Sequence, residues 1–367
     1  MATHLNTGGI TSYLLILSKE QTKAGHEVYI WASAGERSGD FRPCSAGIVP
    51  DVPRCKSELS PNLWTQLPKL VSFLKKNPVD IIHCHTRVAQ VLAAAAGFFV
   101  KTPYVSTAHM LYKKRLGRRL FPCWGKAVIA ISRAMQEGLL EVFGRENLPL
   151  IEIVLNGIDI GALRARIDQT DREAVRKSYG YASNHLVVAS MARLIPVKGA
   201  HLLVEAFAIA RKKVPHMRLL LGGSGEDVYV QNLKRRVTEL GLETDVLFLG
   251  NVTEIEKPLK ATDIFVAPYV WEEAFGIAVL EAMIAGQAII GAKSGSVPEL
   301  LDHGRRGLLF EKGDVEALAE LLIKLSEDVQ LRKELGMAAM DGAEEYSSAH
   351  MGEGVQKVYE EVLKHRL

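Results

Sequence analysis

Short runs rich in valine, isoleucine and leucine alternate with amphipathic stretches along almost the whole chain. This alternation is typical of βαβ units, in which helices cover both faces of a parallel sheet. Strands covered on both faces are nearly continuous apolar runs, as these are, so the sequence predicts an α/β fold with parallel sheets. The predicted strands span residues 26–32, 79–83, 102–107, 126–131, 151–155, 186–190, 217–221, 246–249, 264–267, 288–291 and 307–310.

The length of 367 residues exceeds the roughly 250 to 300 at which a single hydrophobic core stops growing, which favours two domains. Turn residues at 156–159 and a polar stretch at 161–181 mark the boundary. We therefore expect Rossmann-like domains over residues 1–158 and 159–345, followed by a terminal stretch at 346–367. The predicted helices span residues 11–24, 63–76, 88–99, 132–143, 200–213, 227–240, 276–285, 315–325 and 348–364.

The start of the first domain is irregular. A Rossmann-like domain normally begins with an apolar central strand, but only residues 1–5 precede the turn that ends in Gly8 and Gly9. We expect this first strand to be very short or truncated. Loss of a central strand would leave the edges of its neighbours unpaired.

The composition narrows the class of protein. Apolar residues make up 48% and charged residues 24%, which is close to the soluble globular average and disfavours disorder. The longest nearly uncharged apolar run, at 88–100, is shorter than the roughly 20 residues that a bilayer span needs. No signal-like segment opens the chain and the cysteines have no Cys-x-x-Cys spacing, so a cytoplasmic location is expected.

Positive charge is concentrated in the first domain. Residues 1–158 hold 19 Lys and Arg against 11 Asp and Glu, whereas the whole chain has a net charge of only +3. We expect the first domain to meet an anionic membrane surface or acceptor, with a solvated basic face as the alternative. Nucleic acid is disfavoured, because no recognised binding motif accompanies the basic residues. The cluster itself consists of Lys113, Lys114, Arg115, Arg118 and Arg119.

Two carboxylates eight positions apart, Glu273 and Glu281, straddle the start of a predicted helix. The first N–H groups of a helix lack intrahelical partners, and the helix dipole favours an anion there. The N–H groups of Phe275, Gly276 and Ile277 therefore predict a phosphate site.

Two cations follow the predicted strand at 186–190, in a loop at the edge where open α/β sheets bind ligands. Arg193 and Lys198 could neutralise a diphosphate and stabilise the charge that develops on it. The glycine-rich stretch 222–225 follows the next strand and permits close backbone approach, although such a stretch also makes an ordinary tight turn.

The stretch from Glu273 to Glu281 resembles the E-x7-E motif of the retaining family 4 glycosyltransferases. Those enzymes have the GT-B fold, with two facing Rossmann-like domains and a C-terminal helix that returns to the N-terminal domain. The resemblance implies that Glu273 contacts hydroxyls of a donor sugar and that Glu281 holds the ribose of its nucleotide. It also places the diphosphate at Arg193 and Lys198 and the base near Val252.

In the first domain, Gly8 and Gly9 resemble the family's N-terminal glycine pair, and His109 resembles its active-site histidine. The resemblance implies that His109 contacts the transferred sugar and that the sugar keeps its anomeric configuration. No Asp-x-Asp pair occurs in the chain, so we expect neither a metal ion nor another cofactor.

We therefore expect a hexosyltransferase that uses a nucleotide-sugar, with UDP- or GDP-sugars favoured as the donor substrate. The expected acceptor is a lipid-linked, lipopolysaccharide or polysaccharide glycan in cell-envelope synthesis. We expect the protein to bind the inner membrane peripherally, where it would meet such an acceptor. A soluble acceptor is the alternative. Two other functions stay open: a nucleotide-sugar epimerase of the same fold and a non-catalytic nucleotide-sugar-binding homologue.

Overall fold

The computed structural model describes residues 1–6, 8–49, 51–55, 57–58, 60–112 and 116–364, with only the backbone described for Leu116 and Arg119. The chain divides into two compact units. The first unit consists of Met1–Ile158 and Tyr346–Leu367, and the second unit is Asp159–Glu345. Each unit is described separately below.

The first unit alternates strands and helices along the chain. Its strands are β1 (Tyr29–Ile30), β2 (Gly47–Ile48), β3 (Ile82–Cys84), β4 (Tyr104–Ala108), β5 (Ala127–Ala130) and β6 (Leu150–Ile153). Its helices before residue 158 are α1 (Gly9–Lys23), α2 (Pro61–Lys76), α3 (Arg87–Ala96), α4 (Leu116–Leu120) and α5 (Arg133–Phe143). Strands β3, β4, β5 and β6 form a parallel sheet in that order, and β1 pairs with β2 in parallel.

Residues 1–5 run between these two groups of strands. On one side the N–H of Leu5 donates to the carbonyl of Ser33 at 3.1 Å, and on the other the N–H of His85 donates to the carbonyl of Met1 at 3.0 Å. The segment forms a single parallel bridge, between His4 and Ser33, yet it hydrogen-bonds on both sides. The strand predicted at 26–32 is found only over Tyr29–Ile30, the residues that pair with β2.

The second unit contains a larger sheet. Its strands are β7 (Leu186–Met191), β8 (Met217–Gly222), β9 (Val246–Gly250), β10 (Ile264–Ala267), β11 (Ala288–Ala292) and β12 (Leu308–Phe310). Its helices are α6 (Ile160–Gln169), α7 (Arg172–Ser178), α8 (Ala200–Lys213), α9 (Asp227–Glu239), α10 (Glu256–Ala261), α11 (Ile277–Ile284), α12 (Val297–Leu300), α13 (Val315–Glu327) and α14 (Val329–Ala343). The strands lie parallel in the order β12-β11-β10-β7-β8-β9.

This strand order reverses at one place. From β7 the chain builds outward through β8 to β9, then returns to add β10 on the other side of β7 and continues through β11 to β12. The connections that follow β7 and β10 therefore lead to opposite edges of the sheet, and open α/β sheets bind their ligands at such a switch point. The α/β fold with parallel sheets that the sequence predicts is confirmed.

The last helix, α15 (Ser348–Lys364), belongs to the first unit and packs on α1. Gln21 Nε2 donates to the Tyr359 hydroxyl at 2.8 Å, and Ser348 Oγ donates to Glu20 Oε1 at 3.0 Å. Its Met351, Val355, Val358 and Val362 side chains are buried at helical spacing, so the apolar face of α15 forms part of the core of this unit.

A buried ionic cluster fixes helix α7 to the start of the central strands. Asp263, just before β10, accepts hydrogen bonds from Arg172 Nη2 at 2.6 Å, Arg176 Nη2 at 2.5 Å and the N–H of Val187 at 2.8 Å. The Arg176 side chain is only 4% exposed. Asp263 is therefore the counter-ion of a cation that water cannot easily solvate.

We expect Asp263→Ala to destabilise the second unit by about 3 kcal/mol, because it leaves the buried Arg176 without its counter-ion. Urea denaturation followed by circular dichroism measures the change. Glu254→Ala, which removes an exposed ion pair with Lys257, is the control and should leave the midpoint nearly unchanged. Equal midpoints for the two variants would contradict this role of Asp263.

Candidate functional site

The loops that follow β7 and β10 are joined at the switch point of the second unit. The N–H of Val270 donates to the carbonyl of Val197 at 3.1 Å. Gly199 has a φ of +73°, and a Cβ placed there would lie 1.8 Å from the carbonyl oxygen of Pro268. Only glycine allows both the left-handed backbone and this close approach.

Lys198 and Glu273 meet at this junction. Lys198 Nζ contacts the Glu273 carboxylate and also lies 4.4 Å from the centre of the Tyr269 ring. The two charged side chains are about one-fifth exposed, at 20% and 17%. The structure therefore brings together two of the residues that the sequence analysis singled out, although they are 75 positions apart.

Arg193 lies in the same loop as Lys198, with an exposed side chain. Its loop is fastened to the one after β8, because the N–H of Leu194 donates to the carbonyl of Ser224 at 2.8 Å. The second unit thus presents one exposed and one ion-paired cation on the loop that follows β7.

The loop that carries Glu273 is held by a serine-rich turn after β11. Ser294 Oγ accepts a hydrogen bond from the N–H of Glu273 at 3.2 Å and donates to the carbonyl of Trp271 at 2.5 Å. The N–H of Ser296 donates to the carbonyl of Glu273 at 3.0 Å. A Cβ at Gly295 would lie 2.0 Å from that same carbonyl oxygen, so the two loops are in close backbone contact.

Helix α11 begins directly after this loop. Gly276 precedes it with a φ of +89°, Ile277 is its first residue, and the Phe275 side chain is buried. The backbone turns into the helix at Gly276, so the first N–H groups of α11 lie next to the Glu273 loop. This arrangement is suited to an anion.

Glu281 lies one turn into α11. Burial raises the pKa of its carboxyl to about 7, while the charge of Arg166 acts in the opposite direction. The hydroxyl of Tyr269 is affected by both glutamates. Burial raises its pKa, and the negative charges of Glu273 and Glu281 raise it further.

Sequence reasoning missed Tyr269 and Ser294. Tyr269 comes two residues after β10, and this position at the carboxyl end of a central strand was the available signal. Ser294 gave no comparable signal, because its role depends on which loop packs against the turn after β11.

The glycine-rich stretch after β8 has a packing role. A Cβ at Gly222 would lie 2.3 Å from Met191 Sδ and 3.0 Å from Val252 Cγ2, and one at Gly223 would lie 1.8 Å from the carbonyl oxygen of Ala192. These glycines let the loops after β7, β8 and β9 lie against each other. Val252 is therefore placed next to the loop that carries Arg193.

In the first unit, His109 follows β4 and Gly9 begins α1. His109 Nε2 lies 3.1 Å from His85 Nδ1, and burial lowers the pKa of His109 to about 3. Gly8 and Gly9 are exposed, and an added Cβ at either would meet no atom within 4 Å. Packing within the protein therefore does not require glycine at these two positions.

The basic cluster is only partly described. Lys113, Lys114 and Arg115 lie outside the described residues, as does the side chain of Arg119. The Arg118 guanidinium stacks on Tyr112 at 4.0 Å and donates to Gln90 Oε1 at 3.1 Å, so this cation is turned toward the protein.

Within the described residues, no group of three or more His, Cys, Asp or Glu side chains is arranged to hold a metal ion. The helices described also include none with the length and apolar character needed to cross a membrane.

Two family profiles match the chain. The profile described as glycosyltransferase family 4 matches residues 7–161, and the profile described as glycosyl transferases group 1 matches residues 171–341. The first match covers most of the first unit and the second lies within the second unit.

Individual proteins agree with these profiles. The chain is 30% identical to N-acetyl-alpha-D-glucosaminyl L-malate synthase of Bacillus anthracis, over 81% of this chain and 78% of that protein. It is 26% identical to phosphatidyl-myo-inositol mannosyltransferase of Mycolicibacterium smegmatis, over 97% of this chain and 90% of that one.

A solved structure shares the fold. The Anabaena protein Alr3699/HepE, crystallised with UDP and glucose, superposes with a TM-score of 0.82 and 24% identity, over 98% of this chain and 99% of that one. From the profiles, the relatives and the two parallel-sheet units, the chain belongs to the glycosyltransferases of the group 1 and family 4 type, which have the GT-B fold.

Proposed function

We propose that this glycosyltransferase is a retaining hexosyltransferase that uses a nucleotide-sugar, with a UDP-sugar or a GDP-sugar as donor, and needs no metal ion. The observation that carries the proposal is the contact of Lys198 with Glu273 at the switch point, beside the start of α11. One cation and one carboxylate side by side suit a ligand whose anionic and hydroxyl-bearing parts are adjacent, as the diphosphate and sugar of such a donor are. The UDP and glucose bound by the Anabaena protein of the same fold support this choice of ligand.

Each part of the donor has a group in the second unit that suits it. The diphosphate is bound by the exposed Arg193, by Lys198 and by the N–H groups at Phe275, Gly276 and Ile277. Glu281 accepts hydrogen bonds from the ribose hydroxyls, and the base lies near Val252. Since the diphosphate meets two cations and a helix start, its charge is balanced without a divalent ion.

We assign the orientation of the sugar to Glu273, and the family resemblance implies donor contacts for His109 and Gly9. In the transfer step the bond from C1 of the sugar to the phosphate oxygen breaks, and the acceptor oxygen forms a bond to C1 on the same face. The acceptor proton passes to the departing phosphate oxygen. Lys198 and Arg193 stabilise the negative charge on that phosphate, while Glu273 stabilises positive charge at C1.

A panel of UDP-, GDP- and ADP-sugars, each with and without candidate acceptors, tests the transfer. We expect nucleotide release that depends on an acceptor, persists with EDTA and yields the same anomer as the donor. Lys198→Met should lower kcat by about 100-fold or more, as loss of one preorganised charge-stabilising group does. The exposed Lys212→Met is the matched control and should behave as wild type.

Other outcomes of the panel would contradict the proposal. Donor conversion without any acceptor would indicate an epimerase, and binding without turnover would indicate a non-catalytic homologue. Loss of activity with EDTA that added metal restores would contradict metal independence.

The pH dependence of donor binding tests the role of Glu281. Its pKa of about 7 means that the carboxylate form, which accepts ribose hydrogen bonds, is scarce at pH 6 and prevalent at pH 8. Affinity for the donor identified by the panel should therefore rise about 10-fold between these values. Calorimetry measures it, and Glu281→Gln should bind more weakly at pH 8 with the pH dependence abolished. A wild-type affinity that is flat with pH would contradict the assignment.

The acceptor proposal concerns the first unit. Its sequence carries Lys113, Lys114, Arg115 and Arg119 besides the inward-turned Arg118, and the flanking Met110, Leu120 and Phe121 are 60%, 63% and 69% exposed. Exposed apolar side chains beside clustered cations suit an anionic membrane surface. The mannosyltransferase relative is named for a phosphatidyl-inositol lipid, which supports a lipid-linked acceptor.

We expect the protein to co-sediment with vesicles that contain phosphatidylglycerol, and to be released by salt because screening weakens the attraction. Phe121→Ser should weaken this binding several-fold by removing an exposed apolar contact. Phe98→Ser is the control, since Phe98 is 88% exposed but follows the end of α3, whereas the carbonyl of Phe121 is bonded by Arg87 at the start of that helix. Equal effects of the two changes, or no binding by the wild type, would favour a soluble acceptor.

A further inference from the structure

Three histidines lie together at the carboxyl ends of β3 and β4. The ring centres of His83 and His85 are 4.1 Å apart, and those of His85 and His109 are 5.4 Å apart. The cluster follows from the sheet register: Cys84 is paired with Ser106, so the residues after these neighbouring strands emerge side by side. His109 alone was identified in the sequence as a residue for the reaction.

The orientation of His83 is fixed separately from the other two. Gln21 Nε2 donates to the Tyr359 hydroxyl at 2.8 Å, and this hydroxyl oxygen lies 2.7 Å from His83 Nδ1. His83 Nε2 lies 2.6 Å from Thr107 Oγ1. Both ring nitrogens of His83 are thus hydrogen-bonded, one to Tyr359 of α15 and the other to Thr107 of β4.

His85 is bonded to His109 instead. His85 is only 4% exposed, and its Nδ1 lies 3.1 Å from His109 Nε2. Burial lowers the pKa of both rings, that of His109 to about 3, so both are neutral at neutral pH. Between two neutral imidazoles one nitrogen donates and the other accepts, so the tautomers of His85 and His109 are coupled.

The remaining contacts of His109 limit its rotation. The Tyr13 ring packs edge-on against it, with centres 4.7 Å apart and an interplanar angle of 78°. With Nε2 of His109 bonded to His85 and its ring packed on Tyr13, Nδ1 is left as the nitrogen that can meet a ligand.

We propose that His85 is a positioning residue for His109: its Nδ1 fixes the ring orientation and tautomer of His109, so that one defined nitrogen faces the transferred sugar. The inference rests on the proposed function in that His109 contacts the sugar. His85 itself is not expected to touch the substrate.

Three substitutions at position 85 separate this role from simple packing. His85→Asn keeps a polar group where Nδ1 lies, His85→Gln places it near the position of Nε2, and His85→Phe keeps the ring shape without nitrogen. We expect Asn to retain most of the transfer activity. Gln and Phe should lower kcat by about 10- to 100-fold, the range found when hydrogen-bond partners of metal-ligating histidines are removed, with the donor KM little changed.

A double substitution tests whether His85 acts through His109. In a His109→Ala background, His85→Phe should cause no further loss, because the group that it positions is already absent. Additive losses, or an Asn variant as impaired as the Phe variant, would overturn the proposal. If His85→Phe does not fold, the difference in kcat between His85→Asn and His85→Gln still tests whether His85 positions His109.

Nitrogen-15 NMR of the histidine rings provides a readout that does not depend on activity. The wild type should show His109 as a single neutral tautomer, His85→Asn should preserve it, and His85→Phe should give a mixture or the other tautomer. A His109 signal unaffected by His85→Phe would overturn the inference even in an active enzyme. The expected NMR pattern in a protein without transfer activity would contradict the proposed function and not the positioning role.

Discussion

The order of parallel strands in the second unit is the constraint on which its site depends. Since the order reverses between β7 and β10, the chain leaves these two neighbouring strands toward opposite edges of the sheet, and the loops at their carboxyl ends meet at the switch point. Arg193 and Lys198 lie on the first of these loops and Glu273 on the second. Charged residues that are far apart in the chain lie together here because the carboxyl ends of the neighbouring parallel strands β7 and β10 are at the same edge of the sheet.

These loops are held in place by contacts within the second unit. Gly199 lets the backbone of one loop touch the other at Pro268, and Gly295 brings the turn after β11 against Glu273. Ser294 then ties the backbone of Glu273 by a hydrogen bond. A site whose supporting backbone is already fixed loses less conformational entropy when a ligand binds. The glycines and serines around the charged residues are therefore as much a part of the site as the charges.

The first unit also consists of parallel strands, with residues 1–5 between its two groups of strands. Residues 1–5 hydrogen-bond on both sides, and the residues after β3 and β4 come together in the histidine cluster. Helix α15 contributes Tyr359 to the hydrogen bonds of His83 although the two residues are 276 positions apart. The last helix thus holds His83 in place as well as packing in the core.

The sequence alone determined the α/β class and most strands, because buried parallel strands consist of short apolar runs that can be recognised directly in the order of residues. It also indicated the family through the spacing of Glu273 and Glu281. The contact of Lys198 with Glu273, the contact of Lys198 with the Tyr269 ring, the bond between His85 and His109 and the inward turn of Arg118 emerged only in the tertiary structure. The reason is physical: periodicity and spacing report local conformation, whereas these contacts depend on strand order, register and loop packing, which bring distant residues together.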